Sequence, residues 1–346
     1  MKSFSAALGA IGVAAMLTAG CQGSSSNEQA APAAQPRGLR IGFLMDTTHE
    51  RWQRDRDLFI EQAKSLDAHV VVEAAEGDKT KQAQLADKML ADGVKALVIV
   101  PNDTEAAAAI VEKAKAQKVP VISYDRLIRN ADIDVYVSFD NKKVGELQAQ
   151  YLLSHAPTGN YLLVGGSPTD DNAKQVREGQ MDVLKPAIAS GKIKIVGDGF
   201  AENWSADAAR QLTEEALKKT RNKLAAVVAS NDQTAGGVIE ALTKHGLAGK
   251  VLVSGQDAEL DAAQRIAKGT QTMTVYKPPS GLARTAATAA VRLAQGVAFE
   301  AASRVNNGKK DVPAHILAPI TVDKATLEGI LVNDGFHKRS DIFGTP

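Results

Sequence analysis

The sequence has little that would tie it to metal, redox or nucleic-acid chemistry. It contains one cysteine, Cys21, so no internal disulfide is available and the fold must rest on its core. The histidines, His49, His69, His155, His245, His315 and His337, are scattered. His49-Glu50 begins like a zinc-protease helix, but the position that needs the second histidine is Gln53. Neither a metal site nor a cofactor is expected. An excess of one charge is also missing: 41 Lys and Arg stand against 40 Asp and Glu, with no basic tract. Phosphate neutralisation has no footprint, so nucleic acid is not expected as a partner. Glycine motifs fail one by one. Gly246 to Lys250 lacks the P-loop spacing, Gly197-Asp198-Gly199 lacks the third glycine of a dinucleotide fingerprint, and Gly165-Gly166-Ser167-Pro168-Thr169 lacks the final glycine of a nucleophile elbow. Together these absences argue against an enzyme.

The N-terminus carries a clear pattern. One lysine, an apolar stretch and small residues lead to Leu17-Thr18-Ala19-Gly20-Cys21, which reads as a secretory signal with a lipobox over residues 1–20. Cys21 is then the expected lipidation site, placing the protein outside the cytoplasm and tethered to a membrane. Residues 21–37, rich in Ser, Asn, Gln, Ala and Pro, read as a flexible tether. No later apolar run is long enough to span a bilayer.

From Leu39 onward short apolar runs alternate with helical periods. Strands are expected at 39–45, 68–74, 95–100, 119–123 and 134–138, with helices at 50–66, 79–92 and 104–117. A second series follows: helix 141–155, then strands at 161–165, 193–197, 224–229, 251–255 and 271–276 with helices between. After Pro278-Pro279 a helix runs to about Ala294, and from Val312 a short strand or two precede a helix near 323–332. Strand–helix–strand units imply parallel sheets, and the strands are too many for one open sheet. The expected fold is α/β with two similar doubly wound lobes, residues 38–140 plus 282–311 and residues 141–281 plus 312–346. Crossings are expected near 139–142, 278–282 and 311–315, making a hinge with a cleft between the lobes.

Several strands run straight into polar clusters: Val121-Ile122-Ser123-Tyr124-Asp125-Arg126, Val227-Val228-Ala229-Ser230-Asn231-Asp232 and Val251-Leu252-Val253-Ser254-Gly255-Gln256-Asp257. These clusters fall at strand carboxyl ends, where open α/β sheets bind ligands. The only tryptophans, Trp52 and Trp204, lie beside strand–helix junctions in different halves. Carboxylates, amides and guanidiniums for hydroxyls, with flat aromatic faces for C–H surfaces, are what a carbohydrate site needs.

Those blocks, with Glu50-Arg51-Trp52-Gln53, Asp170-Asp171-Asn172-Ala173-Lys174 and Gly269-Thr270-Gln271-Thr272-Met273-Thr274-Val275-Tyr276-Lys277-Pro278, resemble the periplasmic D-xylose-binding proteins. That branch belongs to the ribose/galactose-type solute-binding proteins of ABC importers. The resemblance runs from about Arg40 to Lys338. It implies a type I periplasmic binding protein fold and a D-xylose ligand, with another monosaccharide (ribose, arabinose or glucose) as the alternative. It implies a ligand site of Arg51, Trp52, Asp125, Arg126, Asp170, Asn172, Trp204, Asn231, Asp257 and Lys277. It further implies ABC permease subunits as membrane partners and a monomer. Asp171, where the family more often has Asn, is left out of the site, and Tyr124, Tyr136 and Phe139 are expected as core or cleft wall. Rivals of another class are a regulator's sensor domain, against which the export signal argues, and a carbohydrate-active enzyme.

Overall fold

The computed structural model describes residues 38–344. The signal segment, Cys21 and the expected tether lie outside the described residues. The chain runs through β1 (Leu39–Met45), α1 (Glu50–Ser65), β2 (Ala68–Ala74), α2 (Lys79–Ala91), β3 (Ala96–Ile99), α3 (Ala108–Ala116), β4 (Val121–Tyr124) and β5 (Val135–Phe139). It continues with α4 (Asn141–His155), β6 (Gly159–Gly165), α5 (Asp171–Ala189), β7 (Ile193–Phe200), a 3₁₀ turn (Glu202–Trp204), α6 (Ala206–Thr220), β8 (Ala226–Ala229) and α7 (Asp232–Lys244). The remaining elements are β9 (Leu252–Val253), α8 (Leu260–Lys268), β10 (Met273–Tyr276), α9 (Pro279–Ala294), β11 (Ser303–Asn306), β12 (Asp311–Leu317), β13 (Ile320–Asp323) and α10 (Arg339–Phe343).

Two lobes result. The first is a seven-stranded sheet ordered β11-β12-β5-β4-β3-β1-β2, parallel except for the β11–β12 hairpin. Its strands read as unbroken apolar runs because both faces are covered. Along β1, Ile41, Phe43 and Met45 pack with α1 and α9, while Leu44 packs with α2 and α3. The second lobe is a parallel sheet ordered β7-β6-β8-β9. Leu162, Val164 and Val227 meet α6 and α7 on one face, and Tyr161, Leu163 and Val228 meet α4 and α5 on the other. Helices α4 and α5 approach backbone to backbone: a Cβ on Gly145 would lie 1.9 Å from the Val176 carbonyl oxygen, and one on Gly179 2.0 Å from that of Lys142.

Four features differ from the sequence reading. β12 pairs in parallel with β5, so residues 312–317 belong to the first lobe and the last crossing falls between Leu317 and Ile320, not at 311–315. β10 is flanked by an antiparallel partner, β13, while its other edge bonds the segment running out of β9 (Thr272 N to Val253 O, Val275 N to Gly255 O, Asp257 N to Val275 O), where Asp257 (φ 97°) and Ala258 (φ 55°) end the extended backbone. The helix expected from 104 begins only at Ala108, since Asp103 draws the preceding backbone into a turn by accepting from Glu105 N and Ala106 N. The helix expected near 323–332 is instead a turn followed by one wide turn over Glu328–Val332.

Candidate functional site

All ten residues that the resemblance implicates line one cleft between the carboxyl ends of the two sheets. From the first lobe come Arg51 and Trp52 in the first turn of α1, and Asp125 and Arg126 just past β4. Asp125 has left-handed backbone (φ 62°), and its carbonyl is held by Ser138 Oγ, Tyr136 OH and Asn172 Nδ2. Three donors on one carbonyl offset the local strain and fix where the carboxylate points. Trp52 is 6% exposed, packs edge-on against Tyr124, and has the Arg126 guanidinium 5.7 Å from its ring centre.

The second lobe supplies the facing wall. Asp170 caps α5 by accepting from Asn172 N at 2.9 Å. Trp204 ends the 3₁₀ turn with left-handed backbone (φ 58°) and donates its indole N–H to Asp170 Oδ2 at 3.2 Å. Its ring lies over Gly166, where a Cβ would come within 2.3 Å of ring carbons. Asn231 caps α7 with its side-chain oxygen accepting from Thr234 N at 2.9 Å. Asp257 follows β9 and Lys277 follows β10.

Charge pairs cross between the lobes. Arg51 donates to both Asp125 and Asp257. Lys277 Nζ lies 3.1 Å from Asp257 and 3.8 Å from Asp125. Arg126 Nη1 donates to Asp46 and Nε pairs with Asp170, both at 2.7 Å. Asn172 Nδ2 donates to Asp125 Oδ1 at 3.0 Å. At the rim, Glu50 on α1 accepts from Leu260 N, the first residue of α8, at 3.2 Å. A first-lobe carboxylate therefore caps a second-lobe helix.

Burial alone would push the Asp125 and Asp257 carboxyls up, yet Arg51 and Lys277 outweigh it and hold both below the usual carboxylate range. Burial raises Asp170 despite Arg126. Burial, with Asp232 and Asp257 nearby, pushes Glu259 up to about 8. Glu259 apart, the cleft presents mutually compensated cations and carboxylates, with Asp125 and Asp257 held ionised, able to offer charge-assisted donors and acceptors to a neutral polyol.

The sequence reading missed Asp46, Asn102 and Gln256, which also line the cleft. Asp46 directly follows β1, so the strand-end rule that flagged Asp125 would have found it. Gln256 is 4% exposed with its Oε1 unpartnered. Asp78 caps α2 beside Gly77 of the cleft wall. Asp140 caps α4, while Tyr124, Tyr136 and Phe139 are buried core. Asp171 lies outside the cleft lining. Among the described residues no cluster of His, Cys, Asp or Glu is placed to hold a metal ion, and no helix is long and apolar enough to cross a membrane.

Residues 41–298 match a family described as a periplasmic binding protein domain. The chain belongs to the periplasmic binding proteins. This periplasmic binding protein is 50% identical over 90% of its length to the D-xylose-binding periplasmic protein of Haemophilus influenzae, covering 94% of that protein. The D-xylose-binding periplasmic protein of Escherichia coli gives the same identity and coverage, 50% over 90% of this chain and 94% of the relative. Among solved structures, a carbohydrate transporter solute-binding protein from Chloroflexus aurantiacus in complex with D-glucose is 35% identical with a TM-score of 0.83, covering 89% of this chain and 99% of that one. These relatives are binding and transport proteins rather than enzymes.

Proposed function

We propose that this periplasmic binding protein captures D-xylose in the interlobe cleft and delivers it to an ABC importer, with no bond-making step. The observation that carries the reading is the cleft itself: compensated cations and carboxylates round a rim, with one tryptophan on each wall. A pyranose presents hydroxyls at its edge and C–H groups on its faces. Asp125, Asp170 and Asp257 accept from hydroxyls, while Arg51, Arg126, Asn231 and Lys277 donate to hydroxyl and ring oxygens. Charge-assisted hydrogen bonds contribute ~1.5–3 kcal/mol each, so three or four reach the ~8 kcal/mol of a micromolar complex. The half-identical relatives named for D-xylose favour that pentose.

Because the ligand touches both lobes, it stabilises the closed arrangement by its differential affinity. The closed protein, a monomer in this reading, is the form presented to permease subunits in the membrane. It is held at the membrane through a lipid on Cys21 after cleavage of residues 1–20. Cys21→Ser should release it from the membrane fraction or stall its processing. A native mature N-terminus elsewhere, without lipid, would remove the anchor.

D-glucose is the second reading, favoured by the glucose-bound relative at 35% identity. Glucopyranose adds a hydroxymethyl group at C5. A cleft rimmed by Arg51, Arg126 and Lys277 leaves that edge little room, and overpacking of this kind costs ~1–3 kcal/mol. Calorimetric titration with a panel of pentoses and hexoses tests the reading. D-xylose is expected to bind about tenfold or more tightly than D-glucose. Equal affinities would sink the xylose assignment while keeping sugar capture, and no heat with any sugar would sink both.

A further inference from the structure

Asp55 is a buried carboxylate outside the cleft lining, with no task in sugar capture so far. It sits on α1 four residues after Arg51, the spacing that places two side chains on one helix face. It is 1% exposed, and the Tyr124 hydroxyl donates to its Oδ1. Its Oδ2 is buried without a hydrogen-bond partner, and so is Arg51 Nε. A buried donor and a buried acceptor left open each carry a desolvation cost. Both residues line one small chamber behind the cleft, walled also by Asp257, Lys277, Pro279 and Phe336. Four charged side chains face the chamber beside the apolar surface of Pro279 and Phe336, and it has room for one water molecule.

The geometry points to Asp55 as the positioning residue for Arg51, acting through a water in this chamber that accepts from Arg51 Nε and donates to Asp55 Oδ2. Anchored from behind, the guanidinium keeps its two terminal nitrogens on Asp125 and Asp257, one carboxylate from each lobe. Its pairing with Asp125 in its own lobe is then set before the lobes close on ligand, so closure leaves less to reorganise, which is where preorganisation adds affinity. The consequence for affinity rests on the sugar-capture reading; the anchoring of Arg51 does not.

Several charged or titratable groups face Asp55. Arg51 comes from its own helix, Tyr124 and Asp125 from β4 and its end, Asp257 and Lys277 from the second lobe, and Tyr276, bonded to Asp334, from beyond. Burial pushes the Asp55 carboxyl up to about 6, against the pull of Arg51 and of the Tyr124 hydrogen bond. Above that pH the ionised carboxylate holds Arg51; below it the proton removes the attraction. If ionised Asp55 is what the bound state prefers, affinity is full above about 6 and falls as pH drops through it. A carboxyl that is merely buried on closure would give the opposite sign or no dependence.

The experiment compares wild type and Asp55→Asn. Two readouts are D-xylose affinity across pH and the NMR signal of Arg51 Nε–H with and without sugar. Asp55→Asn is expected to bind about three- to tenfold more weakly at neutral pH with an unchanged melting temperature. It should also lose the wild type's acid-side fall in affinity and let the slowly exchanging Arg51 Nε–H signal collapse. Taking the difference between the two profiles cancels contributions from Asp170, Asp232 and Glu259, which burial also raises. If Asp55→Asn does not fold, Tyr124→Phe keeps the carboxylate but removes the hydrogen bond that lowers its pKa, and should move the midpoint of the pH profile upward. An unchanged Arg51 signal in Asp55→Asn, or an unmoved midpoint in Tyr124→Phe, overturns the assignment. A wild type that binds no xylose but whose Arg51 signal still depends on Asp55 would count against the sugar reading alone.

Discussion

Trp52 and Trp204 stand on opposite walls of one cleft, and they are built in opposite ways. Trp52 rises from a regular helix, is 6% exposed, and belongs to the first lobe's hydrophobic core with Phe43, Phe59 and Tyr124. Trp204 sits on a strained 3₁₀ turn, half-buried, held by one hydrogen bond to Asp170 and by the bare backbone of Gly166. One wall is therefore a face of the core, and the other is a plate clipped onto a loop. The first is fixed by the packing of its lobe's core, whereas the second rests on a turn with far fewer partners. The difference separates residues that a sugar site shares with folding from residues that serve the site alone.

The largest expected effect tests the first wall. Trp52→Ala should cost ~3–5 kcal/mol of folding stability by the cavity it leaves, measured by denaturant titration. Trp204→Ala should change stability by less than about 1 kcal/mol and yet weaken xylose binding about tenfold or more. Equal stability losses in the two variants would erase the distinction between the walls.

Next comes the pair that joins them. Arg126 reaches Asp46 in its own lobe and Asp170 in the other. Arg126→Ala leaves both carboxylates buried without their cation, and should cost ~2–4 kcal/mol of binding by calorimetry. Asp257→Ala should behave alike, because it strips Arg51 and Lys277 of one of the two carboxylates they share. Wild-type affinity in both would remove these residues from the site.

A smaller perturbation sharpens the account of the second wall without touching a polar group. Gly166→Ala places a methyl 2.3 Å from the Trp204 ring, so the ring must shift. Affinity should fall about tenfold and the xylose-induced change in tryptophan fluorescence should shrink, with stability nearly unchanged. A fluorescence response like that of wild type would mean that Trp204 does not report on the ligand.

The smallest expected effect is at the rim, where Glu50 caps α8 across the lobes. Its carboxylate is exposed, so Glu50→Gln should weaken xylose binding only about two- to threefold, and less in high salt. A salt-independent loss would point to something other than a cap on the closed form.

The pattern of these effects follows what was legible beforehand. Apolar strands with polar residues at their ends are local signals, and Asp125, Arg126, Asn231 and Asp257 all carry them. Asp46 carries the same signal at the end of β1. The positive φ angles of Asp125, Trp204 and Asp257 were not legible, because none of these residues is a glycine and the strain is held by distant donors such as Ser138 and Asn172. The membership of β12 was also hidden. Pro313 weakens its strand signature, and its parallel pairing with β5 joins segments far apart in the chain. Asp55 was invisible as a site residue because its meaning lies in the chamber behind Arg51, not in its neighbours along the sequence.

The central claim, that two differently built walls close on one pentose ring, is tested most directly by a crystal structure of the protein with D-xylose. The ring is expected between Trp52 and Trp204, with its oxygens about 3 Å from the polar atoms of Asp125, Arg126, Asp257 and Lys277. A sugar held by one lobe alone, or bound outside this cleft, would contradict it.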